Sequence, residues 1–257
     1  MTLLKLNNVT MRFGGLTAVD SFKLALKKGE ILGLIGPNGA GKTTVFNMIT
    51  GIYSPTKNSI YFRDENITGL KPDIIAKKGI ARTFQNIRLL DNLTVLDNVM
   101  IGVHLHLKSS LFSAILRLPG YVREEKSLYT KSINLLERVE LGDFAYEKAG
   151  SLPYGKQRKL EIARALATNP ELLLLDEPAA GMNPQESQEL VNFIRQLRDQ
   201  FNVTIFLIEH DMKVVMGLCE RILVLDYGVT IAEGIPQEIQ NNPEVIKAYL
   251  GVDVVNA

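Results

Sequence analysis

Two stretches near the start of the chain, residues 3–10 and 21–26, alternate partly between apolar and polar positions, with the turn residues Gly14 and Gly15 between them. A period of two is the pattern of a strand with one buried face, so two short strands are predicted there. Residues 30–35 differ: past Glu30 they are almost wholly apolar. Such a run fits a strand covered on both faces, as in a sheet between layers of helices. It leads into a glycine-rich loop, after which residues 42–51 read as a helix and 59–63 as another strand.

From about residue 86 to residue 168 the strand signals fade and helical spacing dominates. Leu128, Ile133, Leu135, Leu136 and Val139 stand among charges over 123–139, which predicts an amphipathic helix. Strand character returns at 171–175, 203–208 and 221–225, with helical segments at 184–200 and 212–218 between them. Strand–helix alternation predicts a mostly parallel sheet, hence an α/β fold. The expected organisation is one domain: a core over 1–85 and 169–235, a helical block inserted at 86–168, and a short helical tail over 236–257. No internal repeat or low-complexity tract interrupts it.

Composition narrows the function. At 257 residues the chain can bury roughly 70% of its unfolded surface and needs no staples. Apolar residues are 46% and charged residues 22%, ordinary globular usage. Lys and Arg number 29 against 28 Asp and Glu, a net charge of +1 that argues against a dedicated nucleic-acid binder. Cys219 is the only cysteine, so an intrachain disulfide is excluded and a reducing compartment is expected. The first residues alternate like a strand and lack a signal-peptide pattern. No run reaches the ~18–20 apolar residues that cross a bilayer, so work at a membrane implies docking onto another chain.

Gly36-Pro37-Asn38-Gly39-Ala40-Gly41-Lys42-Thr43 matches G-x-x-x-x-G-K-S/T between a predicted strand and a predicted helix, and Thr44 follows. Glycines let successive backbone N–H groups turn around an anion, and a helix N-terminus adds its positive end. Lys42 brings a full charge to the β- and γ-phosphates, and the Thr43 hydroxyl can reach Mg²⁺. The apolar run Leu172 to Leu175 ends in Asp176 and Glu177. Carboxylates at the tip of such a strand, at the edge of a parallel sheet, suit a metal ion and a water: Asp176 for the metal, Glu177 for the attacking water.

With these two motifs, several others place the chain among sequences that resemble the nucleotide-binding subunits of ABC transporters. The resemblance covers nearly the whole chain. It implies an ABC ATPase fold: a P-loop core with an N-terminal antiparallel β element and an inserted helical subdomain. It further implies ATP and Mg²⁺ as ligands, with Phe13 stacking on adenine, Gln85 sensing Mg²⁺ and the γ-phosphate, and His210 contacting the γ-phosphate. His104 and His106 have no such counterpart and read as surface or packing residues. Leu152-Pro153-Tyr154-Gly155-Lys156-Gln157 looks like the family's signature, whose common form is LSGGQ and which closes over the nucleotide of the opposite subunit. Pro153 replaces the usual Ser and has neither hydroxyl nor N–H to offer a phosphate. Gly155, the helix dipole and Lys156 are the expected substitutes. Ala180-Gly181-Met182-Asn183 matches the D-loop, with Asn183 where the family usually has Asp.

Local strings such as Met11-Arg12-Phe13-Gly14-Gly15-Leu16, Arg82-Thr83-Phe84-Gln85, Glu177-Pro178-Ala179-Ala180-Gly181-Met182-Asn183-Pro184 and Ala248-Tyr249-Leu250-Gly251 resemble the ATPase subunits of branched-chain amino-acid importers. Of the two ATPases such importers carry, the chain is similar to the one with a long insertion before the signature. The resemblance implies a second ATPase subunit, identical or paralogous, two transmembrane permease subunits and, indirectly, an extracytoplasmic solute-binding protein. It implies a peripheral position on the cytoplasmic face of the plasma membrane. ATPases of urea importers and of a lipopolysaccharide exporter are related alternatives, as is a soluble ABC ATPase. A small-molecule kinase would leave the signature unexplained. Within the insertion at 103–129, Leu111, Phe112, Ala114, Ile115, Leu116 and Leu118 cluster among Lys108, Arg117 and Arg123. This cluster reads either as local packing or as contact with the membrane partner or surface.

Overall fold

The computed structural model describes residues 1–103 and 119–250. His104, His106 and the apolar cluster at 111–118 lie outside the described residues. Strands β1 (Thr2–Phe13) and β2 (Leu16–Lys27) form an antiparallel hairpin. β4 (Lys57–Phe62) pairs with the other edge of β1, and the two-residue β5 (Glu65–Asn66) pairs with β4. β1 and β2 are longer than their apolar patterns suggest. The register slips between Leu6 and Val9, and Asn8 and Ser21 take left-handed conformations with φ 49°. Such bulges reset the alternation, so a strict period of two sees only part of each strand.

The second sheet carries β3 (Ile31–Ile35), β6 (Ile80–Arg82), β7 (Leu172–Asp176), β8 (Thr204–Ile208), β9 (Arg221–Asp226) and β10 (Val229–Gly234). Its order is β10-β9-β3-β8-β7-β6, parallel throughout except for the β9–β10 hairpin. Every residue of β3, β7 and β8 is buried, which is why their apolar runs are continuous rather than alternating. The pleat sends Ile31, Leu173, Leu175, Ile205 and Leu207 into one apolar cluster and Leu32, Leu34, Leu172, Leu174, Phe206 and Ile208 into another. The second cluster is closed by the antiparallel sheet and by α1 (Lys42–Ile49). The first is closed by α3 (Val95–Val103), α4 (Pro119–Arg138), α5 (Tyr154–Leu166), α6 (Pro184–Phe201) and α7 (Met212–Leu218). α2 (Pro72–Lys77) precedes β6, while α8 (Pro236–Gln240) and α9 (Pro243–Leu250) form the tail.

β6 and β10 have no counterpart in the sequence reading. β6 is three residues, too short for a pattern, and exists because it pairs with β7. β10 is a half-buried edge strand reached through Tyr227 and Gly228, whose φ of 43° and 82° suit a tight hairpin turn. Among the described residues, 86–168 hold α-helices and short 3₁₀ turns but no strand.

Truncating a side chain inside one of these two cores tests the packing. Leu174→Ala removes buried methyl groups beneath the antiparallel sheet and should lower stability by about 2–5 kcal/mol in urea unfolding. A loss under about 0.5 kcal/mol, the range of surface substitutions, would place Leu174 outside any tightly packed core.

Candidate functional site

β3 ends at the edge of the sheet, and the chain then turns through the glycine-rich loop into α1. At Gly36 φ is 147°, and a Cβ there would sit 2.0 Å from the Leu225 carbonyl oxygen on β9. At Gly41, the residue that opens α1, φ is 102° and a Cβ would lie 2.5 Å from the Ala18 carbonyl oxygen. Only glycine passes at either point. No side chain caps α1, so the loop leaves the first-turn N–H groups of Lys42, Thr43 and Thr44 for an outside acceptor. Pro37, Asn38, Gly39 and Ala40 form the turn between, and the Pro37 carbonyl accepts the Ala40 N–H. Lys42 is buried, and its Nζ donates to the carbonyls of Gly36 and Pro37, each at 2.8 Å. Burial lowers the Lys42 pKa, against the opposing pull of the charges on Glu177 and Asp176. This donor set fits a polyphosphate: N–H groups at a helix end, one ammonium, and an exposed Thr43 hydroxyl. Phe13, at the end of β1, is 41% exposed and touches Tyr53 edge-on, with ring centroids 5.1 Å apart, which leaves ring surface open.

β7 delivers the two acids to the same sheet edge. The Asp176 Oδ2 accepts from Arg82 Nη2 at 2.6 Å, and Arg82 Nη1 donates to Asn47 Oδ1 at 2.6 Å. Asp176 therefore meets its neighbours through one oxygen in a buried ion pair, a partner the sequence reading did not supply. Glu177 takes a left-handed conformation, φ 48°, held by its own N–H donating to the Ile208 carbonyl at 2.9 Å. Strain of this kind in a non-glycine residue is kept where the surroundings over-determine it. Its Oε1 accepts from His210 Nε2 at 2.7 Å, and its Oε2 accepts from Gln85 Nε2 at 2.7 Å. The structure thus brings Gln85, Glu177 and His210 into one hydrogen-bonded line. Among the described residues no cluster of three or more His, Cys, Asp or Glu side chains is arranged to hold a metal. Mg²⁺ bound chiefly through phosphates, with a single carboxylate among its side-chain partners, needs no such cluster.

Glu209 has no role in the sequence reading. It is buried, with Oε1 accepting from the Ala179 N–H at 2.7 Å and Oε2 from the His210 N–H at 2.9 Å. Burial pushes its pKa up, and these N–H groups pull it back. It ties the start of the segment after Glu177 to the backbone of His210.

The segment resembling the signature opens α5 at Tyr154, with Pro153 as its N-cap residue. Leu152 is buried, Gln157 Nε2 donates to the Leu152 carbonyl at 2.8 Å, and Pro153 and Tyr154 are exposed. The space around Gly155 is open: a Cβ there would meet nothing within 4 Å. Lys156 departs from its expected part as a phosphate contact. Its Nζ sits 3.4 Å from the centroid of the Phe144 ring, a cation–π seat that turns the charge onto the protein. The Tyr154 hydroxyl donates to the Ala180 carbonyl at 2.8 Å, beside Gly181, so the signature and the D-loop segment touch within one subunit. Met182 packs on the core. Asn183 caps α6: its Oδ1 accepts from Gln185 and Glu186 N–H groups at 2.9 and 3.0 Å, and Glu186 returns a bond to the Asn183 N–H. An amide oxygen caps as well as a carboxylate, so the change from Asp is neutral for the helix.

Arg158 was missed altogether. It is fully buried on α5, where Nη1 donates to the Phe84 carbonyl at 2.9 Å and to Glu161 Oε2 at 2.8 Å. Its Nη2 donates to the Gln85 carbonyl at 2.9 Å and to the Tyr154 hydroxyl at 3.1 Å. The signal was available as an Arg and a Glu at i and i+3 on the buried face of a helix.

Two substitutions test these assignments. Arg158→Met leaves the Glu161 charge buried without its partner and should cost about 3–5 kcal/mol in urea unfolding, whereas Arg158→Met with Glu161→Leu should recover most of that loss. A double variant as unstable as the single one would refute the pairing argument. Asn183→Ala should cost about 1 kcal/mol and Asn183→Asp should cost almost nothing. Equal losses from the two would remove the capping role.

Comparison with known proteins bears directly on these motifs. The family model described as "ABC transporter" matches residues 19–180, and one described as "Branched-chain amino acid ATP-binding cassette transporter" matches residues 229–255. The chain is 50% identical over 249 residues to the high-affinity branched-chain amino acid transport ATP-binding protein LivG of Escherichia coli (strain K12), covering 97% of this chain and 98% of that protein. It is similar to the crystal structure of the ADP conformation of MJ1267, an ATP-binding cassette of an ABC transporter, with TM-score 0.86, 32% identity, and 98% and 100% of the two chains covered. It is also similar to the dimeric post-hydrolysis state of the cassette MJ0796 bound to ADP and Pi, with TM-score 0.75, 27% identity, and 91% and 99% covered. The match over 19–180 and the 50% identity to LivG along nearly the whole chain establish that the chain belongs to the ABC transporter family, as one of its ATP-binding ATPase subunits.

Proposed function

We propose that the chain powers an importer of branched-chain amino acids by binding and hydrolysing ATP between itself and a second ATPase subunit, identical or paralogous. The observation that supports hydrolysis is the placement of Glu177, held by Gln85 on one oxygen and His210 on the other, beside the phosphate loop. The solute rests on the likeness to LivG and on the tail match at 229–255.

In this reading the first-turn N–H groups of α1 and the Lys42 ammonium bind the phosphates, with the loop from Gly36 to Thr44 around them. Phe13 offers its open ring face to the base. Thr43, Gln85 and Asp176 hold Mg²⁺, which neutralises charge on the phosphates when bound with ATP. Glu177 accepts the proton of the attacking water on a carboxylate oxygen, and the bonds from Gln85 and His210 fix the plane of that carboxylate. Pro153, Tyr154 and Gly155 stand open at the start of α5, where a second subunit's nucleotide can meet a helix N-terminus. Residues 1–85 and 169–235 act as the catalytic core, 86–168 as the helical subdomain, and 236–257 as the tail.

ATP binding closes the two ATPase subunits on each other and hydrolysis reopens them; two permease subunits take up that motion, and an extracytoplasmic solute-binding protein feeds them. The surface that suits a permease is an apolar groove of about 330 Å³ between α2, β6, α3 and α5, lined by Ile52, Ile75, Phe84 and Ile101. Phe84 is adjacent to Gln85, so a segment seated there bears on the residue that holds Glu177. No helix among the described residues is long and apolar enough to cross a membrane. The likeness to the transport ATP-binding protein LivG is what supports the proposed position, peripheral and on the cytoplasmic face.

Two measurements test this function. Glu177→Gln in the assembled transporter should keep ATP binding, lower turnover by roughly 10²–10⁴, and abolish uptake of labelled leucine, isoleucine and valine. Intact uptake of all three, with other solutes lost instead, would contradict the assigned solute. Pro153→Ser restores a hydroxyl near the second subunit's phosphates and should raise ATP-driven dimerisation or turnover. No change in either would argue against a direct phosphate role at this position.

A further inference from the structure

The tail returns to the phosphate loop. Ile239 on α8 and Val245 on α9 are buried against the core, which anchors both short helices. From the end of α9 the Tyr249 hydroxyl oxygen accepts the backbone N–H of Gly36 at 2.8 Å, across 213 positions of sequence. Burial pushes the Tyr249 pKa up, and the Gly36 N–H pulls it back. The ring lies along a groove with Met212, Met216 and Ile246, against α7, the helix that begins two residues after His210.

Gly36 is the first residue of the loop, and both its polar groups are taken. Its N–H goes to Tyr249, and its carbonyl accepts Lys42 Nζ at 2.8 Å. One residue is therefore gripped from the tail on one side and by the phosphate-binding lysine on the other. Its backbone passes close against β9, where a Cβ would lie 2.0 Å from the Leu225 carbonyl oxygen. The peptide unit before Gly36 is fixed by a residue that no local sequence rule connects to the loop. A phenylalanine at 249 would fill the same groove and lack only this bond.

We propose that Tyr249 is a positioning residue for nucleotide binding: its hydroxyl fixes the Gly36 peptide and thereby the orientation of the loop and Lys42 that receive the phosphates. This rests on the ATP-binding reading of that loop. With the hydroxyl gone, the Gly36 N–H must find water or reorient, and the loop samples geometries that bind phosphate less well. The effect falls on binding, because Tyr249 touches neither Glu177 nor the residues that hold it.

The test is Tyr249→Phe in the full chain, with Tyr227→Phe, an 88% exposed tyrosine, as control. ATP and ADP affinities are measured by calorimetric titration, KM and kcat in the assembled transporter, and Tm by thermal unfolding. Loss of one hydrogen bond of about 1 kcal/mol corresponds to roughly a fivefold change in affinity. Tyr249→Phe should therefore weaken Kd for both nucleotides and raise KM about three- to tenfold, with kcat at saturating ATP within about twofold of wild type, while Tyr227→Phe changes neither. A Tyr249→Phe chain with lowered Tm but unaltered Kd and KM would overturn the proposal, reducing the bond to a fold contact. So would a fall in kcat at unaltered KM. A wild-type chain that bound neither nucleotide would overturn the ATP-binding reading and the tyrosine's part with it. A wild-type chain that binds, with a variant that binds equally well, would overturn the tyrosine's part alone.

Discussion

A sheet buried on both faces can offer chemistry to solvent only along its edge, and the site follows from that constraint. β3, β7 and β8 are buried at every residue. Their register sets Leu34 beside Ile208 and Ile208 beside Asp176, so the three strands end almost level. What each strand carries past its end then falls in one row: Gly36 and the phosphate loop after β3, Glu177 after β7, His210 after β8. The close packing that makes these strands apolar is what holds the polar groups at their tips in fixed relation. Hydrolysis needs that fixity, because a carboxylate free to rotate would present no defined base.

Burying charge beside such a row is costly unless each charge is met, and the structure gives each of the following a partner, although the Nε atoms of Arg82 and Arg158 are buried without one. Arg82 answers Asp176, Arg158 answers Glu161, and three backbone N–H groups answer Glu209. These partners also join segments that the chain separates. Arg158 links the start of α5 to the backbone of Phe84 and Gln85, and Tyr154 links it to Ala180. The segment proposed to meet a second subunit's nucleotide is thereby connected, inside its own subunit, to the residues that hold Glu177. In the proposed function, a movement of α5 would have a hydrogen-bonded route to Glu177.

What the sequence made legible was local. The phosphate loop, the acids after β7 and the histidine after β8 each sit within a few residues of a strong apolar run, so pattern and chemistry coincide. The helix 212–218 and the continuously apolar strands β3, β7 and β8 were readable for the same reason. The bulged halves of β1 and β2, the three-residue β6 and the half-buried edge strand β10 were not, because pairing rather than pattern makes them. Only the long-range bonds were beyond the sequence: Arg158 to Gln85, Glu209 to Ala179 and Tyr249 to Gly36 span 73, 30 and 213 positions, whereas the Arg158–Glu161 pair at i and i+3 was readable. Lys156 shows the converse. Its charge suggested a phosphate, but packing on Phe144 decides where it points.

The central claim is that nucleotide is hydrolysed only where two subunits meet, one contributing the loop and Glu177 and the other the start of α5. The most direct measurement is ATP turnover per subunit as a function of subunit concentration, on the purified chain together with whichever ATPase it assembles with, while light scattering follows the mass. The account predicts that turnover per subunit rises with concentration and levels off as dimer saturates. Turnover that stays constant down to concentrations where only monomer scatters would contradict it.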